Sequence, residues 1–315
     1  MMENEVYDVL IAGSGPAGLG AAVYATRAGL KAAVVDRSPV SGGQVQSTYE
    51  VDNYLGLPGL GGGELSDRFR EHADRLGAEF ITADVQGIGR DAGQPDGYIV
   101  HTDRADFRTR TVILATGASH SRLGVPGEGE LAGMGVSYCA TCDGAFYRKR
   151  TVAVVGGGDA AVEDAVFLAG ICEKVYLVHR RDRLRAADSL QKKLFSLGNV
   201  EVLWNSEVKE ILGGEVVEGI HVYDNRGGRQ SRLDVDGVFV AVGIVPDTEV
   251  FRGFVEMDGK GYIVADETCA TSEKGIFAAG DVRTKPMRQI ITAVADGANA
   301  VHSVQEYLGT FSVEK

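Results

Sequence analysis

Two stretches of the chain repeat the same order of features: an apolar run, a glycine-rich turn, an alanine-rich stretch and a second apolar run. The first is VLIAGSGPAGLGAAVYATRAGLKAAVVDRS at residues 9–38, and the second is VAVVGGGDAAVEDAVFLAGICEKVYLVHRR at residues 152–181. The two align without a gap. A single glycine-rich turn is weak evidence, but two in register predict two βαβ units of the Rossmann type.

The glycine turns have the composition that a dinucleotide pyrophosphate requires. Gly13 and Gly156 allow a tight turn, and Gly15 and Gly158 let the backbone approach the phosphates. The amide N–H groups at the start of each helix would then face the phosphate charge. A tight turn without a ligand would explain one copy, but the repetition in register favours two dinucleotide sites.

The repeats differ at the end of their second strand. The first ends at Asp36, an acid that accepts hydrogen bonds from an adenosine ribose. The second ends in HRRDRLR, where Arg180, Arg181 and Arg185 gather. Guanidinium groups at this point fit a 2′-phosphate, so the first unit suits FAD and the second suits NADPH. The alternative for the arginines is a solvated charged turn.

Further segments complete the predicted fold. TVILATGA at 111–118 and GVFVAVGI at 237–244 are typical of buried strands, and the stretches 80–110 and 200–236 alternate polar and apolar residues as antiparallel meanders do. We therefore expect an α/β fold with two Rossmann-like dinucleotide-binding domains, one for FAD and one for NADPH. Each would contain a parallel sheet and a small antiparallel β-meander.

The C-terminal part of the chain has no glycine turn of its own, and GIFAAGDV at 275–282 most simply returns to the first domain. We expect residues 1–118 and 245–315 to form the two parts of the FAD-binding domain. Residues 119–244 would form the NADPH-binding domain. Asp281 could accept a hydrogen bond from a cofactor hydroxyl or cap a helix, and the sequence leaves both readings open.

Two cysteines lie two residues apart in CATCDGAF at residues 139–146. A structural zinc site usually needs four ligands, and neither Cys172 nor Cys269 has a Cys or His at ligand spacing. An inert disulfide this short would constrain the unfolded chain little. The motif therefore favours a redox-active pair, with Asp143 placed to pass protons, although an acid before glycine is also an ordinary turn residue.

The charge of the chain limits its partners. Its formal net charge of −12 disfavours nucleic acid and anionic membrane surfaces. No segment approaches the roughly 18 apolar residues of a membrane helix. The N-terminal MMENEVYDVL is acidic, unlike a signal peptide, so we expect a cytoplasmic protein, in which a disulfide is more often catalytic than structural.

A flavin, a nicotinamide and a CxxC pair together form a chain of electron carriers. We expect the hydride of NADPH to pass to FAD and then, as an electron pair, to the Cys139–Cys142 disulfide. The resulting dithiol would reduce an external substrate by thiol–disulfide exchange.

The motifs resemble those of bacterial-type, low-molecular-weight thioredoxin reductase from about residue 6 to residue 308. They are GSGPAG (13–18), GGQ (42–44), NYLGLPG (53–59), ATGA (115–118), CATCDGAF (139–146), GGGDAAVE (156–163), HRRDRLR (179–185), GIFAAGDV (275–282) and RQ (288–289). This resemblance implies a homodimer whose partner is thioredoxin or a thioredoxin-like protein.

The resemblance also implies roles for individual residues. Cys142 would face the flavin, Cys139 would attack the disulfide of the protein substrate, and Asp143 would be the acid–base residue. The residues implied for FAD are Gly13, Gly15, Pro16, Ala17, Asp36, Gly43, Gln44, Asn53, Ala115, Gly117, Gly280, Asp281, Arg288 and Gln289. Those implied for NADPH are Gly156, Gly158, Asp159, Ala160, His179, Arg180, Arg181 and Arg185. Ala160 stands where the family often has Ser or Thr.

Two other functions compete with this interpretation. A flavoprotein of the same core could reduce a glutaredoxin- or peroxiredoxin-type partner instead. A non-catalytic, nucleotide-sensing flavoprotein would belong to a different class, and the intact CATCD motif argues against it.

Overall fold

A computed structural model describes residues 6–48, 51–94 and 96–310, so the first half of the acidic N-terminal stretch lies outside the described residues. The strands are β1 (Val6–Ala12), β2 (Ala32–Asp36), β3 (Glu79–Thr82), β4 (Val85–Arg90), β5 (Tyr98–Thr102), β6 (Asp106–Leu114), β7 (Ala118–His120), β8 (Val136–Ser137), β9 (Thr151–Gly156), β10 (Lys174–His179), β11 (Val200–Trp204), β12 (Ser206–Gly213), β13 (Val217–Asp224), β14 (Arg229–Leu233), β15 (Gly237–Ala241), β16 (Ile244–Pro246) and β17 (Ile276–Ala278). The α-helices are α1 (Pro16–Arg27), α2 (Gly62–Arg75), α3 (Ala140–Asp143), α4 (Asp159–Ala169), α5 (Asp188–Phe195) and α6 (Ile290–Thr310).

The first sheet joins a parallel part to an antiparallel part through one long strand. Its parallel order is β3–β2–β1–β6, with β17 also beside β6. The last residues of β6, 112–114, pair with β17, whereas residues 106–109 pair antiparallel with β5, which pairs with β4. The nine residues of β6 thus serve both the Rossmann sheet and the meander.

The second sheet is entirely parallel, in the order β11–β10–β9–β15–β8. A separate antiparallel sheet, β12–β13–β14, follows it in the chain. The predicted α/β class, with two parallel sheets and two antiparallel meanders, is confirmed.

The parallel strand β1 of the first sheet is covered on both faces. Val9 and Ile11 belong to a core formed with α1 and α6, and Leu10 and Ala12 belong to the core on the opposite face. Burial on both faces explains why β1 is continuously apolar from Val9 to Ala12 rather than alternating.

The described residues form two compact units. One contains the residues up to 119 together with those from 245 onward, and the other contains residues 120–244. β7 and β16 form a two-stranded sheet. Among the described helices, none combines the length and the apolar composition that crossing a membrane would require.

Candidate redox centre and dinucleotide-binding turns

The first glycine turn connects β1 to α1 with no room for side chains at two positions. Gly13 has a φ of +108°, and a Cβ at Gly18 would overlap the carbonyl oxygen of Gly13. Pro16 occupies the start of α1, where its fixed φ suits the helix. At Gly15 an added Cβ would meet no atom within 4 Å, and no side chain caps the helix. The first amide groups of α1 are therefore left for a phosphate.

Asp36, the last residue of β2, is tied to this turn. Its Oδ2 accepts hydrogen bonds from the backbone N–H of Ser14 at 2.6 Å and from Ser14 Oγ at 2.8 Å, and its Oδ1 accepts one from the Ser38 N–H at 2.9 Å. The carboxylate borders a cavity of about 200 Å³, lined also by Arg70 and Phe80. The predicted ribose acceptor thus lies at the edge of this cavity.

Predicted FAD residues from separate segments converge on the first turn. A Cβ at Gly43 would come within 3.5 Å of the Gly15 Cα. Gly280, with a φ of +82°, faces Ala17 on α1, where a Cβ would lie only 2.8 Å from the Ala17 Cβ. The carbonyl of Ala115 lies against the start of the turn. The structure therefore brings these five predicted residues together.

Four other predicted FAD residues contact protein groups. The Gln44 Nε2 donates a hydrogen bond to the carbonyl of Ala118. The Asn53 Nδ2 donates one to Gln289 Oε1 at 2.9 Å, which joins two distant segments. Gly117 has a φ of +76°, and its carbonyl accepts a backbone hydrogen bond at 3.1 Å. For these residues the contacts fix the positions of the segments that carry them.

Asp281 lies in the 3-10 turn Gly280–Val282, and its Oδ1 is buried without a hydrogen-bond partner among the described residues. Burial raises the pKa of this carboxyl group, and the charges of Lys285 and Arg288 oppose that rise. The Arg288 guanidinium lies 4.0 Å from the centre of the Tyr262 ring, and its Nε is 3.5 Å from the Asp281 carbonyl oxygen. Because α6 begins only at Ile290, the helix-capping alternative for Asp281 is wrong.

These observations fit FAD. A buried carboxylate oxygen without a protein partner calls for an external donor, which a cofactor hydroxyl would supply at Asp281. Open amide groups at Gly15 suit a diphosphate, and the cavity beside Asp36 suits a nucleoside.

The second glycine turn, between β9 and α4, has the same construction. A Cβ at Gly156 would overlap a backbone carbonyl oxygen of β15, whereas a Cβ at Gly158 would meet no atom within 4 Å. Asp159 Oδ1 accepts a hydrogen bond from the Ala187 N–H at 2.8 Å, so its carboxylate holds the end of the arginine-rich loop, just before α5. Ala160 is exposed at the start of α4. The open amide groups again leave a place for phosphate.

His179 lies beneath the arginine-rich loop rather than in solvent, with 5% of its surface exposed. Its Nδ1 is 2.9 Å from the Gly156 carbonyl oxygen and its Nε2 is 2.9 Å from that of Arg183. A Cβ at Gly157 would overlap the His179 ring, and the Gly157 carbonyl accepts a 2.7 Å hydrogen bond from the Arg185 N–H. The ring therefore links the glycine turn to the loop.

The three predicted arginines, Arg180, Arg181 and Arg185, are exposed on this loop. Within the described ranges, none of their guanidinium groups takes part in an ion pair or a hydrogen bond, although the chain carries 44 acidic residues. Unpaired guanidinium groups beside a turn with open amides fit a dinucleotide with a 2′-phosphate. The residues present therefore fit NADPH.

Cys139 and Cys142 form a disulfide, with their Cα atoms 5.3 Å apart. Cys139 is the residue before α3, and both cysteines are partly exposed. Cys172 and Cys269 are buried free thiols. Among the described residues, no group of three or more His, Cys, Asp or Glu side chains is arranged to hold a metal ion. Cys139 and Cys142 therefore form a disulfide that is partly accessible from the surface.

Asp143 follows the disulfide and is held by Ser137 on β8. The Ser137 Oγ donates a 2.6 Å hydrogen bond to Asp143 Oδ2, while Asp143 Oδ1 is buried and has no partner within the described ranges. Burial raises the pKa of Asp143, and the hydrogen bond from Ser137 partly opposes it. The Cys139 N–H donates to Ser137 Oγ at 3.1 Å, so one hydroxyl connects the carboxyl group to the backbone of the redox motif.

Sequence reasoning missed several residues that shape these sites. Ser137 lies two positions before the first cysteine of the CATCD motif, and this proximity is a weak signal. Gly157 is the middle glycine of its turn, where a side chain is usually allowed. Arg283 and Asp296 are buried together near Asp281, and neither belongs to a motif that predicts this contact.

Comparisons with known proteins agree over nearly the whole chain. Residues 7–297 match the family model described as pyridine nucleotide-disulphide oxidoreductase. A thioredoxin reductase of Listeria monocytogenes is 46% identical over 310 residues, which cover 97% of this chain and 95% of the relative. That of Bacillus subtilis is 43% identical over 310 residues, covering 98% and 96%.

A solved structure gives the same result. The crystal structure of a thioredoxin reductase from Streptococcus pyogenes matches with a TM-score of 0.93 at 43% identity, covering 98% of this chain and 99% of that one.

Proposed function

Since the chain belongs to the thioredoxin reductase family of pyridine nucleotide-disulphide oxidoreductases, we propose that it uses NADPH to reduce the disulfide of a thioredoxin or a thioredoxin-like protein. Enzymes of this family are FAD-binding, NADPH-dependent flavoenzymes. The observation that carries the proposal is the Cys139–Cys142 disulfide followed directly by a carboxyl group of raised pKa, Asp143.

Each cofactor is assigned to one unit by the residues that fit it. FAD belongs to the unit formed by residues up to 119 and from 245, which contains the first glycine turn, Asp36 and Asp281. NADPH belongs to the unit of residues 120–244, which contains the second turn and the exposed arginines. When bound, NADPH would supply a hydride and FAD would supply the electron pair that reduces the Cys139–Cys142 disulfide.

The two thiols of the reduced chain then act in sequence on the partner. The Cys139 thiolate attacks one sulfur of the partner disulfide, which forms a mixed disulfide and releases one partner thiolate. The Cys142 thiolate attacks Cys139 Sγ, which reforms the intrachain disulfide and releases the second partner thiolate. Two protons complete the partner dithiol, so the partner gains two electrons and the chain loses two.

Asp143 is proposed to hold and move the protons of this exchange. Its carboxyl group is adjacent in sequence to Cys142, and burial raises its pKa above the ordinary value, which favours the protonated form that can donate a proton. Ser137 fixes the orientation of Oδ2 and leaves Oδ1 for the thiol and thiolate groups.

The proposal is tested by a coupled assay with NADPH and purified thioredoxin of the host. Oxidation of NADPH that depends on oxidised thioredoxin supports it. A flavin-loaded protein that oxidises NADPH but reduces only a glutaredoxin or peroxiredoxin partner would redirect the assignment to that partner. Failure to reduce any of the three would contradict a reductase function.

We propose in addition that the chain works as a homodimer in the cytosol. Large apolar side chains exposed on the FAD unit, including Leu55, Met287 and Ile291, are suitable contacts for a second copy. A reducing compartment suits a disulfide that must be reopened in each cycle. Light scattering of the FAD-loaded protein tests the dimer, which a monomeric mass would contradict, and cell fractionation tests the location.

A further inference from the structure

Three charged side chains are buried together at the start of α6. Arg283, Lys285 and Asp296, here called the Asp296 cluster, have side chains that are 2%, 4% and 4% exposed. Asp296 Oδ1 accepts from Arg283 Nη2 at 2.8 Å, and Oδ2 accepts from Arg283 Nε at 2.9 Å and from Lys285 Nζ at 2.8 Å. The two cations therefore share one carboxylate.

The same carboxylate holds the backbone of the turn before α6. Asp296 Oδ2 also accepts a 2.9 Å hydrogen bond from the N–H of Gly280. Arg283 Nη1 donates to the Thr284 carbonyl at 3.0 Å, which fixes the far side of the turn. The cluster thus clamps both ends of the segment that contains Asp281.

Stability alone is a poor explanation for this arrangement. Burying charges is expensive, and well-packed apolar residues of similar volume are often as stable or more so.

The nearby Glu267 lies 3.5 Å from Arg283 but is 83% exposed, so water screens its charge. Burial raises the pKa of Asp296, but the hydrogen bonds from Arg283 and Lys285 more than offset it, so the pKa lies below its ordinary value. The carboxylate is therefore charged at neutral pH and holds its four donor groups, which belong to three residues.

The segment that contains Gly280 and Asp281 lies where its backbone can affect the predicted FAD site. Gly280 has a left-handed φ of +82° and sits against Ala17 of α1, beside the first glycine turn. Asp281 follows it with a buried oxygen that has no hydrogen-bond donor within the described part of the chain. A shift of the Gly280 backbone would move this oxygen relative to the turn.

We propose that the Asp296 cluster is a positioning device for FAD, which holds the Gly280–Asp281 backbone so that the Asp281 carboxylate meets a hydroxyl of the cofactor. This inference rests on the proposed function, because it assigns FAD to this unit. Arg283, Lys285 and Asp296 act through Asp281 and need not contact the cofactor themselves.

The test is titration of the FAD-free, full-length protein with FAD, followed by flavin fluorescence. Asp296→Asn should raise the Kd for FAD by about tenfold or more, since the Gly280 N–H and two cations lose a charged acceptor. The matched control is Arg252→Met, which breaks an exposed ion pair with Glu249 in the same unit; its Kd should stay within about twofold of wild type.

A second variant covers the case in which Asp296→Asn does not fold. Replacing all three side chains, Arg283→Met, Lys285→Met and Asp296→Leu, removes every charge of the cluster and should preserve the fold, yet FAD should still bind about tenfold or more weakly because the Gly280 N–H has no acceptor. The melting temperature should also rise less on FAD addition than in wild type, which a purely structural role would not produce.

The outcomes separate the two proposals. A wild-type protein that does not bind FAD would contradict the proposed function itself. Wild-type binding with an unchanged Kd in either folded variant would overturn the positioning role alone. Failure of both variants to fold in saturating FAD would also overturn it, because the cluster would then support the fold rather than the site.

Discussion

The hydroxyl of Ser137 and the carboxylate of Asp143 are joined by a 2.6 Å hydrogen bond between β8 and the end of α3. Burial raises the pKa of Asp143, and this bond lowers it because it stabilises the charged form. The two effects act in opposite directions on the group that we assign to proton transfer. Ser137 therefore sets how far the pKa of Asp143 rises.

Ser137→Ala should move the pH dependence of disulfide exchange to higher pH. Without the hydrogen bond, the pKa of Asp143 rises further above its ordinary value, and the protonated, proton-donating form persists to a higher pH. The rate of thioredoxin reduction by the pre-reduced protein, measured against pH, checks this. Ser137→Thr keeps the hydroxyl on a strand, where a β-branched residue is tolerated, and should leave the profile in place. A shift to lower pH in Ser137→Ala would contradict the interpretation.

Asp143→Asn should slow thioredoxin reduction by about 100-fold or more, as loss of a general acid–base group usually does. Reduction of bound FAD by NADPH should continue at the wild-type rate, because the residue acts on thiol protons. Stopped-flow absorbance separates the two steps.

Asp234→Asn is the control for that variant, since Asp234 is an exposed acid of the same unit, paired with Arg232. It should change neither step. If Asp143→Asn retained the wild-type rate of thioredoxin reduction, the acid–base assignment would be lost.

Replacing Arg180 and Arg181 by Ala should erode the preference for NADPH over NADH. Each lost hydrogen bond to a charged phosphate is worth about 1.5–3 kcal/mol, or roughly 10- to 100-fold. The ratio of kcat/KM for the two coenzymes gives the preference, and the value for NADH should barely change. Arg232→Ala, an arginine of the same unit outside the loop, serves as control. Equal use of both coenzymes by the wild type would refute the 2′-phosphate site.

Gly157→Ala should weaken NADPH binding and destabilise the unit. The new methyl group would overlap the His179 ring, whose two nitrogens are held by the Gly156 and Arg183 carbonyl groups. Overpacking of this kind costs about 1–3 kcal/mol. Calorimetric titration with NADP⁺ and thermal unfolding measure the two effects. Gly198→Ala, where a Cβ meets no atom within 4 Å, should alter neither; a Gly157→Ala protein with normal affinity would show that the ring does not support the loop.

Much of this fold was predictable because its determinants are local. Short apolar runs and glycines determine the strand–turn–helix order of each Rossmann unit. At Gly13 and Gly156 a side chain would overlap the backbone of a neighbouring segment, so only glycine fits. Polar–apolar alternation likewise indicated both meanders. The helix α6 follows its amphipathic pattern from Ile290 to Thr310.

The remaining features depend on contacts between segments that the sequence does not pair. Asp296 appears as an ordinary polar residue in a helix, and only folding brings it to the Gly280 N–H, 16 positions earlier. His179 occupies the position aligned with Asp36 but lies under its loop, because the ring fills the space that Gly157 leaves. Such roles follow from packing, which local periodicity does not encode.

The proposed function requires that one subunit store electrons in both a flavin and the Cys139–Cys142 pair. Anaerobic titration of the FAD-loaded protein with NADPH, followed by flavin absorbance and a thiol count, tests this most directly. Each wild-type subunit should take up two electron pairs and gain two thiols, whereas Cys142→Ser should take up one pair. Uptake of a single pair by the wild type, with the disulfide intact, would contradict it.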